Sequence, residues 1–187
     1  MFKRLISGFA LLLLLPMSLA WADEYTDAIN VFRNAGESGK LLDTAYGYAV
    51  FPTIGKGGVG IGGAYGKGRV YAKGKYIGDT SVTQVSVGFQ LGGQAYSEIV
   101  LFQDENALKE FTSGNFEFAA DANAVAITAS AGAKATTSGS STGVSGGQND
   151  ATTSGKYRKG RATFTVAKGG LMYEASIGGQ KFNYTPK

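Results

Sequence analysis

The apolar positions change period along the chain. Between Asp23 and Ala35, Tyr25, Ile29 and Phe32 recur at helical spacing behind an acidic first turn, which predicts a short helix stopped by Gly36. Leu41, Leu42 and Ala45 predict a second, from Ser38 to Ala45. Further on the period falls to two. Val85, Val87, Phe89 and Leu91 alternate with Gln84, Ser86, Gly88 and Gln90, the pattern of a half-buried antiparallel strand with the Val, Phe and Leu set inward. Ile99 to Phe102 is apolar on both faces and predicts a central strand. One helix, started by Asp104 or Asn106 and running to Phe111, is predicted inside the sheet region, with Gly114 ending it. Further strands are expected at 124–134, at 161–167 with Ala162, Phe164 and Val166 inward, and at 171–177, with Phe182 and Tyr184 extending the last. The tract 135–155 has Val144 as its only larger aliphatic residue, so it buries too little to offset its ordering entropy and reads as a mobile loop or poorly anchored hairpin.

The densest stretch is Gly55 to Tyr71. Glycine recurs too often there for a helix, while Val59, Ile61, Val70 and Tyr71 favour extended backbone, so it reads as two strands meeting near Gly66. Alternation places small residues on one strand face, which lets another segment or a ligand approach closely. Glycine pairs at 57–58, 62–63, 92–93, 169–170 and 178–179 permit strong bending. The fold class expected is α+β, mainly antiparallel β: a strongly curved or barrel-like sheet with short N-terminal helices and one inserted helix. Gly58, Gly60 and Gly63 also satisfy GxGxxG, but Ala64 to Gly68 reads as a turn where that motif needs a helix. Nucleotide binding is not expected.

The first 22 residues have the pattern of a secretory signal peptide: Lys3 and Arg4, a mostly apolar run from Leu5 to Leu19, then Ala20-Trp21-Ala22 before Asp23. Cleavage after Ala22 would leave one domain, residues 23–187. Loss of Lys3 and Arg4 leaves 16 basic residues against 14 acidic, so bulk charge says little about partners. Its distribution says more. Lys67, Arg69, Lys73 and Lys75 form one basic group, and Lys156, Arg158, Lys159 and Arg161 another. No nucleic-acid motif accompanies either, and nucleic acid is not expected as a partner.

The chain has no His and no Cys, which removes the usual nucleophile and base pairs, nearly all transition-metal sites, and disulfides. No paired general acid and base has a defensible spacing. An enzyme is therefore not expected, nor a catalytic residue, metal or cofactor. Binding is the stronger class: Lys67, Arg69, Tyr71, Lys73 and Lys75 share parity and would line one strand face if the strand continued past Gly74. Cations around an aromatic residue suit an anionic lipid surface, with Arg158 and Lys159 as further candidates. Competing readings are a small outer-membrane β-barrel and an envelope structural or stress protein acting through protein contacts.

The blocks Ala45 to Pro52, Gly57 to Tyr71 and Ser86 to Gln94, followed by Ile99 to Phe102, Asn106 to Phe111 and Gly169 to Gly179, resemble the SYLF domain, also called the Ysc84 family. Two blocks depart from its pattern, at Lys75 to Asp79 and at Ser130 to Ala133. The resemblance implies phospholipid binding, to phosphoinositides in eukaryotic members, some of which also engage actin. For an exported chain it implies a phospholipid or membrane surface as partner, in the periplasm or secreted, with actin not expected.

Overall fold

Gly47–Val59 (β1), Ile61–Ala72 (β2) and Lys75–Val87 (β3) form an antiparallel meander around which the other strands assemble. The computed structural model describes residues 18–59, 61–87, 94–118, 151, 153–168 and 179–187. Two helices, Ser18–Asn34 (α1) and Glu37–Thr44 (α2), precede the meander, and α1 runs through the predicted cleavage position. After it come Gln94–Phe102 (β4), the helix Glu105–Phe111 (α3), Asn115–Glu117 (β5), Arg161–Ala167 (β6) and Gln180–Pro186 (β7). The sheet order is β5-β7-β3-β2-β1-β4-β6, antiparallel throughout. It is a strongly curled half-barrel: Phe182 on β7 meets Phe51 on β1 at 5.7 Å between ring centroids, although β3 and β2 stand between them in the sheet.

Each face of the sheet buries its own core. The concave face holds Phe51, Phe102, Phe111, Phe116 and Phe182 with Ile54, Val70, Val82 and Val100, and α3 packs against it. The convex face buries Val50, Ile99, Leu101, Phe164 and Val166 under Tyr25, Ala28, Phe32 and Leu42 of the two N-terminal helices. Ile99 to Phe102 is thus apolar on both faces because it is covered on both, and all four residues are fully buried. Asp104 caps α3 by accepting from Ala107 N at 2.9 Å.

Two local expectations are corrected. Gly66 is not a turn: β2 is continuous through it, pairing with Ile54 on one side and Val82 on the other, and the β1–β2 pairing runs on to Val59 and Ile61. Glycine is needed at 66 for close approach, since a Cβ there would lie 2.6 Å from Ile54 Cγ1; at Gly68 it would lie 2.6 Å from the Phe51 ring. The parity of β3 is also opposite to expectation. Gly78, Thr80, Val82 and Gln84 face the interior, and Val85 is 75% exposed. The β2 ladder fixes this register, with a bulge between Val70 and Tyr71 that leaves Ile77 as the extra residue. The predicted strands 124–134 and 171–177 lie outside the described residues.

The last part of the 135–155 tract is anchored rather than loose. Thr153 is 3% exposed and bridges to Gly36 at the α1–α2 corner. Its N–H donates to Ala35 O at 2.8 Å, and its hydroxyl donates to the same carbonyl while accepting from Ser38 N at 3.0 Å. A small side chain with every polar atom satisfied needs no large apolar area to be held.

Candidate functional site

The sheet brings part of the two basic groups together at one end. β2 and β3 are joined by the two-residue turn Lys73-Gly74, with φ of 49° and 76°, and the approach to β6 turns through Lys159-Gly160 with the same pair of angles. Both are left-handed at two successive positions, the geometry of a tight hairpin turn whose usual first residue is Asn or Asp. Three backbone hydrogen bonds tie the turns into one layer: Lys73 N to Tyr46 O at 2.9 Å, Tyr46 N to Phe102 O at 2.9 Å, and Gln103 N to Gly160 O at 2.8 Å. Three strand spacings, about 14 Å, separate them. Lys73, Lys75, Arg158 and Lys159 are exposed, and none joins an ion pair among the described residues. Lys73 Nζ sits 5.0 Å from the Tyr46 ring centroid. Neighbouring charges are already engaged: Glu105, whose carboxyl is held below its ordinary pKa by its hydrogen bond with Lys109, and Glu110, which pairs with Arg161 at 2.6 Å.

The expected single row of cations does not form. Lys67, Arg69 and Tyr71 do lie on the convex face of β2, but Lys73 is in the turn, and the register puts Lys75 opposite Ala72, out of that row. Arg69 is held between aromatic rings, 4.2 Å from the centroid of Tyr25 and 5.3 Å from that of Tyr76, with Asp79 opposite it on β3. Tyr71 stacks on Tyr48 at 4.9 Å. Both belong to the seat of α1 rather than to a free surface. Lys67 lines a groove of about 290 Å³ with Glu24, Tyr25, Pro52, Thr53, Gly55 and Tyr65.

A second constellation lies inside the half-barrel. Glu98, in the middle of β4, has no solvent exposure, and burial pushes its carboxyl up to about 7 against a weaker opposing effect of its hydrogen bond from Gln180. Gln180 Nε2 donates to Glu98 Oε2 at 3.0 Å and lies 3.4 Å from Tyr96 Oη. Burial and the adjacent Glu98 raise the Tyr96 phenol. The only signal in the chain was an acid set directly before the apolar run Ile99 to Phe102. Among the described residues no group of three acidic side chains gathers as a metal site requires.

Residues 83–184, just over half of the chain, match the Ysc84 family, described as Las17-binding protein actin regulator. Beta cell expansion factor A of Aeromonas veronii is 26% identical over 166 residues, covering 84% of this chain and 52% of that protein. The chain therefore spans about half the length of that relative. With the match falling on β4, β6, most of β7, α3 and the end of β3, the half-barrel just described is a SYLF domain and the chain belongs to the Ysc84 family.

Proposed function

We propose that this protein is a non-enzymatic phospholipid-binding module of the cell envelope that meets anionic headgroups with the end of the sheet carrying Lys73, Lys75, Arg158 and Lys159. The observation that carries this reading is the pair of lysine-glycine turns. Non-glycine residues in the left-handed region are uncommon, and a lysine gains nothing locally from being there as asparagine does. Two such lysines at one end of one sheet fit retention for charge. Membership of a lipid-binding family supports the same reading. Each cation close to an anionic surface contributes about 1 kcal/mol, roughly fivefold in partitioning, and the attraction is screened over about 8 Å at physiological salt.

An integral barrel is the less favoured alternative, because its outer wall would face lipid with a continuous apolar band. Here that wall packs against α1 and α2 and also exposes Lys67 and Thr83.

Vesicle flotation tests the proposal. The double variant Lys73→Asn, Lys159→Asn places the better turn residue at both positions, so its fold is expected to hold while two charges are lost. The native chain is expected to float with phosphatidylglycerol vesicles at low salt and far less at high salt or with phosphatidylcholine. The double variant should bind anionic vesicles at least tenfold more weakly, and Lys67→Gln should bind as the native chain does. Equal binding by the native chain and the double variant would overturn the assignment.

A further inference from the structure

β4 and β7 are not neighbours in the sheet, since β1, β2 and β3 stand between them, yet Glu98 and Gln180 meet across the interior. That contact fastens the two sides of the curl to each other. Around Glu98, β1 contributes Phe51 and β6 contributes Thr165 in register, while Gln84 on β3 lies in register with Gln180. Tyr96, two residues earlier on β4, is the other titratable group facing it among the described residues. From α3 and β5 come the aromatic rings Phe111 and Phe116 of the same core. No cation among the described residues acts on the Glu98 carboxyl.

A count of donors and acceptors exposes the imbalance. Glu98 Oε1 and Gln180 Oε1 are both fully buried without a partner among the described residues. With the carboxylate ionised, the pair holds an excess of acceptors and no counter-charge, an arrangement that buried polar groups rarely adopt. A proton on the carboxyl supplies a donor and removes the buried charge.

We propose that Glu98 is carried as a neutral acid paired with the Gln180 side-chain amide, and that losing its proton unfastens β7 from the β4 side, so that closure of the half-barrel is proton-controlled. The device needs no ligand and does not depend on the lipid-binding reading. Its natural range is the neutral region, because burial sets the carboxyl there in the closed form while an opened form exposes it to water.

Two measurements test it. Infrared spectra of the native chain should contain a protonated-carboxyl band at pH 6 that fades through neutrality, and Glu98→Gln should lack it. Hydrogen exchange, corrected for the intrinsic pH dependence, should show the opening equilibrium of β7 amides rising roughly tenfold between pH 6 and pH 8 in the native chain and staying level in Glu98→Gln. A native chain without a titrating protonated-carboxyl band would overturn the proposal, as would an equal rise of β7 opening in both proteins. The infrared titration of the native chain decides the matter alone if Glu98→Gln does not fold.

Discussion

Substituting Gly68 by Ala adds one methyl group to the interior face of β2. In the native backbone that Cβ would sit 2.6 Å and 2.7 Å from two carbons of the Phe51 ring and 2.8 Å from Val50 O. Comfortable carbon contacts begin near 3.5 Å, so the ring must retreat by about 1 Å. It has nowhere to go: Phe51 is fully buried, with Phe182 at 5.7 Å. Overpacking of this kind costs about 1–3 kcal/mol, and in a domain of this size each kcal/mol lowers the melting temperature by about 2–4 °C. Gly57 is the internal control. It lies in the paired strand β1, is exposed, and has nothing within 4 Å of the place a methyl group would take, so Gly57→Ala should be neutral or stabilising by about 0.5 kcal/mol through the unfolded chain. Urea unfolding of both variants, read by tyrosine fluorescence and circular dichroism, measures the difference. Adding Phe51→Leu to Gly68→Ala should recover part of the loss as a coupling energy. Equal destabilisation by the two Gly→Ala changes would refute close approach as the reason for the glycine paving.

Global stability should fall as pH rises. Glu98 goes from its ordinary value of 4.5 to about 7 on folding, so its contribution is fully present below about 4.5 and is lost by about 7; the shift corresponds to about 3 kcal/mol, and urea midpoints of Glu98→Gln should lack that slope. Arg69→Met removes the guanidinium from between Tyr25 and Tyr76, and should cost about 1 kcal/mol and expose α1 to limited proteolysis before the sheet. Thr153→Val strands the Ser38 N–H and should cost about 1–3 kcal/mol in the same unfolding assay. Asp104→Ala removes the cap of α3 and should cost about 1 kcal/mol, measured by thermal melting.

Where a residue's surroundings are set by its near neighbours, the chain could be read directly. Tyr25, Ile29 and Phe32 gave α1 its inner stripe, Asp104 marked α3, and the apolar run Ile99 to Phe102 marked the strand covered on both faces. Quantities set across strands could not be read that way. Gly66 resembles a turn residue until Ile54 is placed beside it. Val85 looks inward until the β2 register turns Gln84 to the interior instead. The candidate site shows the same division: the two basic groups were visible, but nothing local says that Lys73 and Lys159 end in one layer, because that follows from the strand order. Glu98 was one acid among several until Gln180, far along the chain, was set against it.

The pairing of β7 with β3 has a temporal consequence. Tyr184 and Phe182 lie beside Thr80 and Val82, so the strand that completes this part of the interior is synthesised about a hundred residues after the strand it pairs with. The β1–β2–β3 meander can close through local pairing as soon as its residues emerge, whereas β3 must wait about a hundred residues for its other partner, with the slow loop closure that such separation brings. Through that interval β3 is an unpaired edge and the space for Phe182 is unfilled. A chain broken off before residue 180 is therefore one whose meander has formed but whose aromatic core stays open, a form for chaperones and proteases to recognise.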